Sequence, residues 1–173
     1  MRSAVNLAFS LAMQRPEPFG RRLRVGVLDL DIFGPSVPTL MGLQHTDEPP
    51  LTAGTPPYSL FRILTDQVAL PSAGGMLPIT NHGLPTMSMG YLLPKSGPGA
   101  SREDAAVVWR GLMVQKAVQQ LLFDVDWRDG GDGPGLDVLV VDMPPGTGDV
   151  QLTLGQLVVV DGMCVRSRVG VLR

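Results

Sequence analysis

The stretch Asp137–Gln156, DVLVVDMPPGTGDVQLTLGQ, decides the fold. Val138-Leu139-Val140-Val141 is an apolar run without alternation, the pattern of a strand buried on both faces of a parallel sheet. Asp142 closes the run. Met143-Pro144-Pro145-Gly146 then stops the strand, because proline supplies no ladder donor and glycine accepts dihedrals that other residues avoid. Thr147-Gly148-Asp149 leads into Val150, Leu152, Leu154, Leu157 and Val158, a helix start with Asp149 at its positive end. In open α/β sheets, ligands sit beyond the carboxyl ends of the strands. A carboxylate there, followed by a small-residue loop and a helix, suits magnesium and a terminal phosphate. It also suits a plain strand end with a capped helix, and these residues alone leave both readings open.

Upstream, the same grammar recurs. Leu23–Leu28 reads as a strand, followed by Asp29-Leu30-Asp31 and the turn Ile32-Phe33-Gly34-Pro35-Ser36. Two neighbouring strands that end in acids can share one magnesium ion, which takes a few oxygen ligands and keeps waters. Alternatively, Asp31 can orient an attacking water. Acids are also common at strand ends without any such role. Met1–Gln14 places Val5, Leu7, Ala8, Leu11 and Ala12 mostly on one helical stripe, ended by Pro16 and Pro18. The arginine bias of the first 24 residues leaves a transit peptide as the competitor to a core helix.

Between these acid-ended strands the sequence predicts a short helix over Val37–Met41 and a surface loop from Thr46 to Tyr58. Short apolar pieces follow at Leu60–Leu64, Val68–Leu70 and Met76–Pro78, and fit small edge strands. Gly83–Met89 resembles an inner strand, with His82 in the turn before it. Pro94–Asp104 is a polar loop but no phosphate loop, since no Gly-Lys-Ser/Thr follows its glycines. An amphipathic helix then uses Met113, Val114, Ala117, Val118, Leu121 and Leu122 as its apolar stripe. Arg110 before it suits either a phosphate or a surface salt bridge.

Composition narrows the classes. The 173 residues suffice for one domain, and 44% hydrophobic with 17% charged content is that of a globular chain. A net charge of −2 gives no electrostatic case for nucleic acid. No apolar run approaches the roughly 18 residues of a membrane span, so no stable membrane insertion is expected. One cysteine, Cys164, forms no intrachain disulfide, and with two histidines it makes a structural zinc site improbable; no metal ligand set is assigned.

Three collinear strings now carry a resemblance: LDLDIFGPS (Leu28–Ser36), VVWRGLM (Val107–Met113) and VVDMPPGTGDVQLTL (Val140–Leu154). Together they resemble the Mrp/nucleotide-binding-protein-like P-loop ATPases, which act as iron–sulfur cluster scaffolds. The Trp-Arg-Gly-Leu-Met and Met-Ser-Met-Gly-Tyr-Leu segments look closest to the mitochondrial branch that assembles respiratory complex I. The resemblance implies an α/β, P-loop NTPase-like domain, a mostly parallel sheet flanked by helices, spanning residues 1–173 as a single partial nucleotide-binding domain. It implies that Asp31 orients the hydrolytic water and that Asp29 and Asp142 lie near the magnesium. Gly146, Thr147, Gly148 and Asp149 match the second switch loop, which senses the γ-phosphate. ATP, Mg2+ and a [4Fe–4S] cluster are the implied cofactors. Implied partners are a second copy or a full-length paralogue, and iron–sulfur recipients such as complex I subunits. The implied compartment is the mitochondrial matrix, with the cytoplasm as alternative.

Two departures qualify these expectations. Family members precede the helix matched by Ala4–Ala8 with a Gly-Lys-rich phosphate loop, which these 173 residues do not contain. After Gly162 the chain reads MCVRSRVGVLR and departs from the family pattern, so the Cys-x-x-Cys cluster pair is not matched and Cys164 is assigned no cluster. The resulting expectation is a partial chain with impaired ATP binding and hydrolysis and no stable cluster of its own. The alternative is a non-enzymatic subunit that pairs with and modulates a full-length paralogue. A positioning ATPase with the same two-acid grammar is disfavoured, because PPGTGD and WRGLM are not that group's habit.

Overall fold

Residue alternation along one central strand organises the molecule. The computed structural model describes residues 2–32, 34–44, 75–92, 112–128, 133–146 and 148–165. The elements run in the order α1 (Arg2–Met13), β1 (Val25–Asp29), α2 (Val37–Leu40), β2 (Ile79–Asn81), β3 (Leu84–Ser88), α3 (Met89–Leu92), α4 (Leu112–Phe123), β4 (Val138–Asp142) and α5 (Asp149–Leu157). The expected pieces at Leu60–Leu64 and Val68–Leu70 lie outside the described residues, as do the loops over 46–58 and 94–104 and Arg110.

The sheet order is β2-β3-β1-β4. β1 pairs in parallel with β3 and with β4, while β2 and β3 are antiparallel. The fold is therefore α/β with a mostly parallel sheet, as expected. The β2–β3 hairpin turns on His82 and Gly83, at φ 52° and 75°, the left-handed pair that a tight hairpin of matching twist requires. His82 is exposed in that turn.

β1 is buried throughout, and its side chains alternate between two cores. Val25 and Val27 join Val5 and Ala8 of α1, Val37 and Met41 on one face. Leu28 joins Val114, Ala117, Val118 and Leu121 of α4 and Val150 and Leu154 of α5 on the other. Helices covering both faces let a parallel strand be apolar without alternation. The N-terminal segment is thus a core helix, with Ala8 fully buried. On the α4 side, an added Cβ at Gly26 would stand 2.9 Å from the Trp127 ring and 2.5 Å from Leu136 Cδ1. That glycine lets the indole lie against the sheet backbone.

Several details differ from the sequence reading. Met76–Pro78 forms no strand, only an isolated bridge from Met76 to Val125, and Leu7 of α1 is 45% exposed. The strand Val138–Asp142 is half-buried, not fully buried, because it is the outermost strand of the described sheet and only one of its edges is paired. Leu152 is 63% exposed: the inward stripe of α5 follows Val150, Thr153, Leu154 and Leu157, and Leu152 falls on the opposite side of the helix. No described helix is long and apolar enough to cross a membrane.

Candidate functional site

Register across the sheet places three polar side chains in one row. Asp29 at the end of β1 is the Cα partner of Asp142 at the end of β4 and of Ser88 at the end of β3. The Leu30 amide still donates to the Asp142 carbonyl at 2.9 Å, so the ladder runs one bond past the acids. Parallel strands of matched length bring their carboxyl ends together, and that is where such sheets bind ligands.

Each acid of the row has a different environment. Asp29 is fully buried. Its Oδ1 accepts the Asp31 amide at 3.0 Å, and its Oδ2 accepts the Val37 amide and the Ser88 hydroxyl, both at 3.1 Å. Burial nevertheless pushes its pKa up to about 6, with the Asp142 charge adding to the rise against those hydrogen bonds. Asp142 is also shifted upward, first by burial and further by the Asp31 charge. Its Oδ2 is a buried oxygen with no hydrogen-bond partner. Asp31 is 4% exposed, and its Oδ1 accepts the Gly34 amide at 3.2 Å. Three carboxylates thus lie near one another without a basic side chain hydrogen-bonded to any of them among the described residues. Such a cluster of acids suits a cation.

The residues fit magnesium held largely through its own waters. Asp142 supplies an open buried oxygen, whereas both Asp29 oxygens are already engaged. No group of three or more His, Cys, Asp or Glu among the described residues is arranged to enclose a metal ion. Magnesium sites commonly use one or two carboxylates plus waters and phosphates.

The switch-like loop follows from β4. Gly146 sits at φ +100° with nothing within 4 Å of an added Cβ, so its backbone conformation, not crowding, requires glycine. Gln151 clamps the loop: its Oε1 accepts the Gly148 amide at 3.0 Å and its Nε2 donates to the Pro144 carbonyl at 2.7 Å. The contact to Gly148, the N-cap, is half of a capping box. Asp149 is the exposed first residue of α5, at the positive helix end. Thr147 lies outside the described residues.

The structure therefore brings together Asp29, Asp31 and Asp142 and sets Gly146, Gly148 and Asp149 on the adjoining turn. It adds two residues that the sequence reading did not single out. Ser88 is one, and its signal was a hydroxyl at the end of an otherwise apolar strand. Gln151 is the other, and its signal was capping-box spacing three residues after Gly148. Cys164 is an exposed free thiol in the segment after α5.

Residues 2–169 match the family described as ParA: NUBPL iron-transfer P-loop NTPase. The iron-sulfur cluster carrier protein of Salmonella typhimurium is 41% identical over 163 residues, covering 94% of this chain and 33% of the relative. The mouse iron-sulfur cluster transfer protein NUBPL is 38% identical over 165 residues, 95% of this chain and 39% of the relative. The Arabidopsis thaliana iron-sulfur protein required for NADH dehydrogenase, mitochondrial, is 36% identical over 165 residues, 95% of this chain and 40% of the relative. The chain thus spans between a third and two-fifths of the length of these curated relatives. With the family model matching residues 2–169, nearly its whole length, this chain belongs to the NUBPL iron-transfer P-loop NTPase family.

Proposed function

We propose that this chain carries the magnesium-facing and phosphate-sensing wall of the nucleotide site in an iron–sulfur cluster carrier that serves complex I assembly in the mitochondrial matrix. The observation that carries the site reading is the unpartnered buried Asp142 Oδ2 beside Asp29 and Asp31. The family and its carrier-named relatives support the carrier role, and the Arabidopsis relative's name supports the complex I assignment.

Asp142 would hold the cation, and when bound the ion would neutralise the charge that builds on transferring phosphate oxygens. Asp31, held beside it, orients a water and accepts its proton. Asp29 fixes the backbone of Asp31. The Gly146–Asp149 turn faces the terminal phosphate and passes its presence through the Gln151 clamp to α5. The [4Fe–4S] cluster is cargo in this scheme, handed to a recipient protein, and none of these 173 residues is assigned as its ligand.

The site is tested by titrating the purified chain with Mn2+, a paramagnetic substitute for Mg2+, with and without ATP. Saturable binding that broadens signals of Gly34 and Leu30 and disappears in Asp142→Asn supports the reading. Binding indifferent to that substitution overturns it. The carrier role is tested in cells depleted of the protein: complex I activity should fall while a respiratory complex without iron–sulfur clusters keeps its activity.

A further inference from the structure

The loop that carries Asp31 is tied down at both ends, and its far end rests on the strand across the sheet from Asp142. At the near end, the Asp31 amide is held by Asp29 Oδ1 at 3.0 Å. At the far end, the Val37 amide reaches Asp29 Oδ2 at 3.1 Å, the oxygen that also receives the Ser88 hydroxyl. Ser88 Oγ in turn accepts the Gly90 amide at 3.0 Å. Gly90 itself leaves no room: an added Cβ would stand 2.8 Å from Pro35 Cβ and 3.2 Å from Pro38 Cγ. The 2.8 Å approach to Pro35 is closer than real Cβ contacts come and the 3.2 Å approach to Pro38 is tighter than most, so the two prolines are seated on the bare Cα of Gly90.

The seat is rigid. Thr86 Oγ1 donates to the Ile79 carbonyl at 2.9 Å, which commits its proton, so the Tyr91 hydroxyl at 3.2 Å is the donor to Thr86. Thr86 and Ser88 are fully buried and Tyr91 is nearly so. Val37 and Pro38 are buried against the same corner. In a close-packed interior such a corner moves as a unit.

We propose that Ser88 and Gly90 are positioning residues for Asp31: the hydroxyl holds the Asp29 carboxylate in the rotamer that receives both loop amides, and the glycine receives the two prolines that close the loop. This inference rests on the reading of Asp31 as the water-orienting acid. A carboxylate that must sit within a few tenths of an ångström of a reacting water is only as well placed as the loop beneath it.

The test is amide hydrogen exchange of the full chain, comparing wild type with Ser88→Ala, Ser88→Thr and Gly90→Ala. Ser88→Ala should speed exchange at Asp31 and Val37 at least tenfold, while the Leu30 amide, held by Asp142 across the ladder, changes less than twofold. Ser88→Thr keeps the hydroxyl and should restore most of the protection. Gly90→Ala keeps the Ser88 hydroxyl and should speed exchange at Gly34 and Val37 by displacing the prolines. Exchange that rises equally at Leu30 in both alanine variants would show a general loosening and overturn the inference, as would unchanged exchange at Val37. Mn2+ titration of Asp142→Asn separates the two claims. If that variant binds Mn2+ as wild type does while Ser88→Ala still frees the loop, the seat stands and the magnesium reading falls.

Discussion

The two ends of the β1–β4 pair are electrostatic opposites. At the amino end, Asp137 is gripped by Arg21 Nη1 at 2.7 Å and Nη2 at 2.9 Å, by Arg24 Nη2 at 2.8 Å, and by the Arg24 amide at 2.8 Å. The arginine hydrogen bonds, Arg21 first, hold its pKa well below the usual carboxylate range. At the carboxyl end, five residues later on each strand, Asp29 and Asp142 are shifted upward by burial. One end is fully paired and ties the chain leading into β1 to the start of β4. The other keeps acids close together against their own preference. Proteins retain such local conflict mainly where a ligand resolves it.

The largest expected effect breaks that contrast by pH. A pKa raised to about 6 from the ordinary 3.8 means that the folded state keeps a proton which the unfolded chain has released. Stability from this group is fully present below about pH 4 and is lost as pH rises through about 6. The amount is on the order of 3 kcal/mol at pH 7. Urea unfolding at closely spaced pH values should show this decline, and Asp29→Asn should flatten it. A wild-type profile that rises through the same window would refute the placement of Asp29.

Asp29→Ala should destabilise the chain at pH 7 by about 2 kcal/mol. The Asp31, Val37 and Ser88 donors lose their acceptor, and relief of the buried charge offsets part of that loss. Chemical denaturation measures it, and a neutral result would mean that water replaces all three bonds.

A smaller effect concerns the cation. Saturating Mg2+ should stabilise the wild type by about 1.4 kcal/mol at ten times its dissociation constant. Asp142→Asn should leave the stability without magnesium within about 1 kcal/mol of wild type and remove the Mg2+ response. A melting shift that survives this substitution would put the cation elsewhere.

How much of this could be read beforehand follows from where each signal lives. Asp29, Asp31 and Asp142 were legible because an acid after an apolar run is a local pattern. The β3 strand and the α4 stripe were legible for the same reason. Ser88 was not, because its role depends on register: it stands beside Asp29 only when β3 pairs in parallel with β1. The pairing of Asp137 was not legible, because its partners Arg21 and Arg24 lie more than a hundred positions away. The half-exposure of β4 and the outward Leu152 escaped because composition does not state which strand edge or helix side lacks a neighbour.

Asp137→Asn should lower stability by less than Asp29→Ala does, because Arg21 remains 43% exposed and its attraction is screened by water and salt. Asn retains a carbonyl oxygen for the Arg24 amide, so the chain's path into β1 persists. What it removes is pH dependence of the opposite sign. A carboxylate with a depressed pKa contributes stability above about pH 4, the ordinary carboxylate value, and loses it as pH falls through the depressed one. The wild type should therefore weaken on strong acidification, and Asp137→Asn should weaken less, with less sensitivity to 0.5 M NaCl. Thermal melting of both proteins between pH 2 and 5, at two salt concentrations, reads this directly. Parallel curves would show that the arginine clamp fixes geometry without contributing charge energy, and the contrast between the two ends would then rest on the buried acids alone.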